Sequence, residues 1–224
     1  MSVEQIEASF VLVGHELLPT EDAKSAFRQA IGLEAVNEQA IVIPPGGSAQ
    51  LAADGHKITF PRERIALALS GVRSSVTKDF PSGEDDLRQL ANVISEALRG
   101  TDLPEAAPWS FGFNASIVHT PKVNVTAPAY IAERLINYQR FAPAGEVVTG
   151  ALALNITGGS AACRQWNLRL EPRFNDPATK RVFMALNHHF ETDDLPGNAK
   201  NTFEYLHGVM DHVYRLIEVM DGHH

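Results

Sequence analysis

Histidine is the residue type in this chain best placed to do chemistry. His188 shares a parity with Val182, Met184, Leu186 and Phe190 in an alternating run, so it points to a packed face. His189 points away from it. Further on, His207 and Asp211 stand four residues apart and His212 follows. An imidazole from the strand meeting that His–Asp pair would make a metal or acid–base site. His119 closes a second alternating run, on the parity of Trp109, Phe111 and Phe113, where it could reach a ligand cavity. His119, His188 and His207 are therefore the candidate metal ligands.

Each also has a plainer reading. His207 and Asp211 fall on the polar side of their helix, as a solvated i,i+4 pair would. The H-E-x-x-H spacing of zinc helices is absent. A strand histidine is commonly a hydrogen-bonded core or rim residue. Cys163, beside Arg164 on the polar parity of its strand, is a thiol near a cation. No base stands at a recognisable spacing from it. The acidic runs Glu84-Asp85-Asp86 and Glu191-Thr192-Asp193-Asp194 suit helix N-termini and solvated loops better than metal sites. Gly46-Gly47 and Gly158-Gly159 lack a following Lys-Ser/Thr, and neither G-x-S-x-G nor G-x-G-x-x-G occurs. No catalytic residue and no cofactor is assigned.

The elements that would position these groups are clearest in the last third. Leu152, Leu154 and Ile156 alternate with Asn155 and Thr157; Val148 extends that run upstream. Trp166, Leu168 and Leu170 alternate with Asn167, Arg169 and Glu171, and Val182 to Phe190 follows the same period. Period-two alternation marks strands dry on one face and wet on the other, which implies antiparallel pairing. Gly158-Gly159-Ser160 and Asn175-Asp176-Pro177 supply the reversals of a three-stranded meander. Phe203, Leu206, Met210, Val213, Ile217 and Met220 then form a helical stripe, widened by Val209 and Leu216, that would lie across the meander.

Upstream, Gln5 to Gly14 reads as a strand, apolar on both sides through Val11 and Val13. Thr20 caps a helix that Gly32 ends, and Ala40 to Ile43 is a short strand. Asp54-Gly55 predicts a two-residue hairpin between Ala49–Ala53 and His56–Phe60. Ile65, Leu67 and Leu69 mark another strand. Ser82 opens a helix with its stripe on Leu87, Leu90, Ile94 and Leu98, and Gly100 closes it. The aromatic strand from Trp109 to Ile117 precedes a helix starting near Pro128. Strands cluster rather than alternating with helices, which selects α+β, mainly antiparallel with helices on one face. No internal repeat is visible.

A chain of 224 residues, 44% hydrophobic, can bury one substantial core. A single domain over 1–224 is expected, with the loop at 100–108 as the place where it could divide into two lobes. A net charge of −8 and scattered Lys and Arg argue against a nucleic-acid partner. No apolar run would span a membrane, the N-terminus reads as no signal peptide, and one cysteine suits a reducing compartment. The expected location is the cytoplasm. The terminal Asp221-Gly222-His223-His224 reads as a tail or tag remnant and is assigned no role.

Trp109-Ser110-Phe111-Gly112-Phe113-Asn114 and the terminal unit together resemble a sporadically distributed, functionally uncharacterised family of bacterial proteins. In that unit, strand Val182–Phe190 leads through the acidic link to Leu206-His207-Gly208-Val209-Met210-Asp211-His212. The resemblance implies a soluble bacterial protein and brings no catalytic residues. The expectation is a non-catalytic binding or assembly protein, homo-oligomeric, with apolar surface such as that of Val11 and Val13 covered by a partner. The alternatives are a His-based metal-dependent enzyme and a small-molecule carrier with a pocket lined by Trp166, Met184 and Met210.

Overall fold

A computed structural model describes residues 2–15, 17, 25, 32–33, 37–43, 53–103, 109–135, 151–157, 165–176, 178–190 and 195–222. The expected helix from Thr20, the Pro-Gly segment at 44–47, the turn at 158–160, Val148, Cys163 and the acidic link at 191–194 lie outside them. Gly32, the expected helix stop, has a φ of +67°, the left-handed conformation such a stop requires.

Among the described residues, one antiparallel sheet carries the fold. Its strands are β1 (Ser2–Val13), β2 (Asn37–Ile43), β3 (Ala53–Phe60), β4 (Ile65–Leu69), β5 (Arg73–Asp79), β6 (Ser110–Thr120), β7 (Leu152–Thr157), β8 (Gln165–Pro172) and β9 (Val182–Phe190). They lie in the order β2-β3-β4-β5-β1-β6-β9-β8-β7. The α+β class is as expected, and the meander β7-β8-β9 forms one wing of the sheet. From the central β1–β6 pair outward, each half runs first strand, last strand, then back through the others to the edge. The two halves thus share one layout that no sequence repeat announces.

Three helices are described: α1 (Glu84–Arg99), α2 (Ala127–Leu135) and α3 (Ala199–Gly222). The first and last pack on each other, α1 over β5 and β1, α3 over β6 and β9, while α2 lies against β8. Leu87, Leu90, Val93, Ile94 and Leu98 of α1 are buried, as the stripe requires. In α3 the buried residues are Thr202, Leu206, Val209, Met210, Val213, Ile217 and Met220. Phe203 was expected on that seam but sits on its flank, with the Arg88 guanidinium 4.1 Å over its ring. The stripe is turned because α3 must face α1 as well as the sheet. At the centre, Phe111 stacks on Phe190 and Phe113 on Tyr205, both at 5.3 Å between ring centroids. No helix among the described residues is long and apolar enough to cross a membrane.

Two readings need correction. Asp54 and Gly55 form no turn; they lie inside β3, opposite Val42 and Ile41 of β2. β2 gives that segment a strand partner in register from Asn37↔Thr59 to Ile43↔Ala53. The other is a strand without an expectation, β5, whose sequence Arg-Ser-Ser-Val-Thr-Lys-Asp hides its alternation. Its inward residues are Ser74, Val76 and Lys78, and only one is apolar. Ser74 Oγ accepts from the Leu17 amide at 3.1 Å, and Lys78 Nζ meets Asp86 at 2.9 Å and the Glu63 carbonyl at 2.6 Å. Burying these groups is tolerable because each is partnered. Asp86 in turn accepts from the Ser82 amide and hydroxyl, joining the start of α1 to β5. Partial burial pushes its carboxyl up, but those hydrogen bonds and Lys78 outweigh it and bring its pKa down to about 2.

Candidate functional site

With the helices on one side, the opposite face of the sheet is open among the described residues. Its side chains fall in rows, because register aligns neighbouring strands. One row crosses all nine strands: Asn37, Thr59, Ala66, Thr77, Ser9, Asn114, Asn187, Asn167 and Asn155. Its second half is four asparagines in succession. Asparagine is disfavoured in strands, and here no helix among the described residues covers it to compensate. A local rule broken four times in one row points to use rather than stability.

The row is wired in one direction. Asn187 donates its amide to Asn114 Oδ1, Asn114 Nδ2 donates to Ser9 Oγ at 3.1 Å, and Ser9 Oγ donates to Glu7 Oε1 at 3.1 Å. Burial raises the Glu7 carboxyl above its ordinary pKa, with Asp79 adding to the rise, while Ser9 and Arg73 oppose it. Asn167 Oδ1 is buried and unpartnered, an acceptor held in the row without a donor. Gly112 makes the packing of the row feasible. A Cβ there would stand 2.8 Å from the His188 carbonyl and 3.0 Å from Asn187 Nδ2.

Around the row the face is small and mixed in charge. A hollow of about 490 Å³ is lined by Ser9, Ser75, Asn114, Ala153, Asn167 and Ala185, among others. A second, of about 390 Å³, lies toward β2–β4, with Val42, Ala66 and Ala68 in its wall. Lys57, Arg73 and Arg169 are offset by Glu7, Asp79 and Glu171, the last paired with Arg169 at 2.6 Å. Val11, expected to offer apolar surface to a partner, lines the first hollow but is already buried at 8% exposure, as Ser9 is at 2%.

The three candidate histidines engage different partners. His188 Nε2 lies 2.8 Å from His212 Nδ1, and the Trp166 and His212 rings meet in a T-shaped contact with centroids 4.5 Å apart. Burial lowers the pKa of His188 to about 4, with His212 adding to the effect. Burial and then Arg215 lower that of His212. His207 is not part of this pair. It lies five residues from His212, roughly 140° around the helix, and forms a surface pair with Asp211 at 3.3 Å. His119 pairs in register with Val182 and His188 with Phe113, which separates them by about 20 Å along the strands.

His119 is fully buried, and its Nε2 meets Asp221 Oδ1 at 3.2 Å, an oxygen that also accepts from the Tyr130 hydroxyl at 2.7 Å. Asp221, set aside as part of a tail, is thus the last inward group of α3. Its distance from Met220 by one residue was the available signal. No group of three or more His, Cys, Asp or Glu is gathered among the described residues. Met184 and Met210 are buried in the core and Trp166 is half-buried against it.

No family model and no curated protein matches the chain. Four chains of solved structures match at a distance, two of them as follows. Methanococcus jannaschii TBP is 10% identical, with both chains covered in full and a TM-score of 0.35. The rolling circle replication initiator protein from Geobacillus stearothermophilus is 6% identical, with 96% of this chain and 85% of that one covered and a TM-score of 0.42. Likenesses this distant carry nothing about function.

Proposed function

We propose that the chain is a non-catalytic binding or assembly protein of the bacterial cytoplasm, that its open sheet face is the binding surface, and that a second copy of the chain occupies it. The observation that carries this reading is the row of four asparagines, each offering both a donor and an acceptor. An amide row is self-complementary, since two copies related by a twofold axis present donors to acceptors in both directions.

Charge favours the same occupant. The chain carries −8 overall, so most contacts between two copies are repulsive, whereas on this face three cations offset three anions. The area is also adequate. Nine strands span roughly 40 Å by 20 Å, about 800 Å² per copy, which is the standard size of a stable interface. The alanines of the face allow close approach, and side chains of the second copy would fill the hollow.

Analytical ultracentrifugation tests the reading. The wild-type chain sediments as a dimer. Ala185→Arg, which sets a charge in the hollow, sediments as a monomer with an unchanged circular dichroism spectrum. Val219→Arg, on the exposed side of α3, remains dimeric. A monomeric wild type, or an Ala185→Arg protein that still dimerises, contradicts the proposal.

A further inference from the structure

The facing imidazoles of His188 and His212 form a second site, independent of the open face. They come from two rigid elements, the middle of the sheet and a long helix, so their approach is built in rather than adopted by a mobile loop. Their nitrogens stand 2.8 Å apart. Two imidazoles on one tetrahedral ion, each about 2.0–2.1 Å from the metal, place their nitrogens roughly 3.3 Å apart. The ring centroids are 5.1 Å apart, so the rings now point head-on at each other. A separation by about half an ångström, with each ring turned by roughly 35° so that its lone pair meets the ion, converts the pair into a chelate. We infer that His188 Nε2 and His212 Nδ1 bind a divalent transition ion of the zinc class, with solvent completing the coordination.

The surroundings suit that role. His188 is buried at 8% exposure, while His212 is partly exposed and gives the ion a route from solvent. Trp166 stands across from His188 in the sheet and meets the His212 ring in a T-shaped contact, limiting its rotation. Binding needs no net loss of protons. The ring that now donates moves its hydrogen to its other nitrogen, leaving two lone pairs toward the ion. Imidazole donors select zinc, copper or nickel and leave magnesium and calcium unbound. Arg215, near His212, opposes a cation and sets the site toward modest affinity. With two protein ligands, the role it fits is occupancy that locks α3 to β9.

Thermal unfolding of the full chain with zinc chloride alone tests the inference, with magnesium chloride as the control. Zinc at about a hundredfold excess over its dissociation constant should raise Tm by about 5 °C or more, and magnesium should not. His212→Ala should abolish the zinc shift, and so should His188→Asn. The double variant His223→Ala/His224→Ala, which removes the terminal imidazoles, should retain it. Where His188→Asn fails to fold, quenching of Trp166 fluorescence by copper(II) in wild type but not in His212→Ala gives the same answer, with Trp109→Phe present in both. A zinc shift that survives His212→Ala, a shift lost in the terminal double variant, or no shift at millimolar zinc overturns the inference.

Discussion

Asn187 donates its side-chain amide to the side-chain oxygen of Asn114, its neighbour across the β6–β9 pair. The two are 73 residues apart in sequence and belong to one half of the fold; the row crosses into the other half at Ser9. Their contact makes a row of a set of isolated asparagines, and it continues through Ser9 to the Glu7 carboxylate. Bonds that all donate in one direction polarise one another, which fixes the amide orientations on a face that no helix covers among the described residues.

Gly112→Ala should disturb this row from beneath. The added methyl meets the His188 carbonyl at 2.8 Å, and a backbone atom in a central strand cannot move aside. A loss of about 1–3 kcal/mol is expected, read as a lower denaturant midpoint. The Asn187 side-chain amide resonances should shift in the same variant. Unchanged stability together with unmoved Asn187 signals would show that the strands there are looser than described.

Asp221→Ala should destabilise although the residue stands almost at the chain's end. It strips the shared acceptor from buried His119 and from Tyr130. The expected cost is about 1–3 kcal/mol. Removal of His223 and His224 alone should cost nothing measurable. Equal stabilities for wild type and Asp221→Ala would mean that the end of α3 is frayed in solution.

Acid should weaken the anchor between α1 and β5. Asp86 has a folded-state pKa of about 2 against an ordinary value of 3.8. The unfolded chain therefore binds more protons between those values. The stabilisation is present in full above pH 4 and is lost as pH falls toward 2. With part of the side chain in solvent, about 1–2 kcal/mol is involved. Asp86→Asn should be less stable at pH 6 and should show a shallower decline in stability between pH 4 and 2. Parallel declines in the two proteins would remove the assignment.

What the sequence made legible follows from where the information resides. The stripes Leu87-Leu90-Ile94-Leu98 and Leu206-Met210-Val213-Ile217 repeat with the helical period, and each names its own buried face. Strands β8 and β9 alternate with the pleat, so the inward direction of His188 was readable from its parity. Strand β5 was not readable, since its inward Ser74 and Lys78 are buried by virtue of partners distant in sequence. The choice of His212 over His207 depended on how α3 turns to meet α1, which a single stripe does not specify. The asparagine row was beyond reach for the same reason. Each asparagine looked like an ordinary wet-face residue, and only register, a relation among strands, put them side by side.

The most direct test of the central claim is an isotope-filtered nuclear Overhauser measurement on a mixture of labelled and unlabelled chains. A dimer joined through the open face predicts intermolecular contacts at the Ala153 and Ala185 methyl groups and at the side-chain amides of Asn155, Asn167 and Asn187. Intermolecular contacts confined to the helical side, at Val219 or Phe203, or none at all, would contradict it.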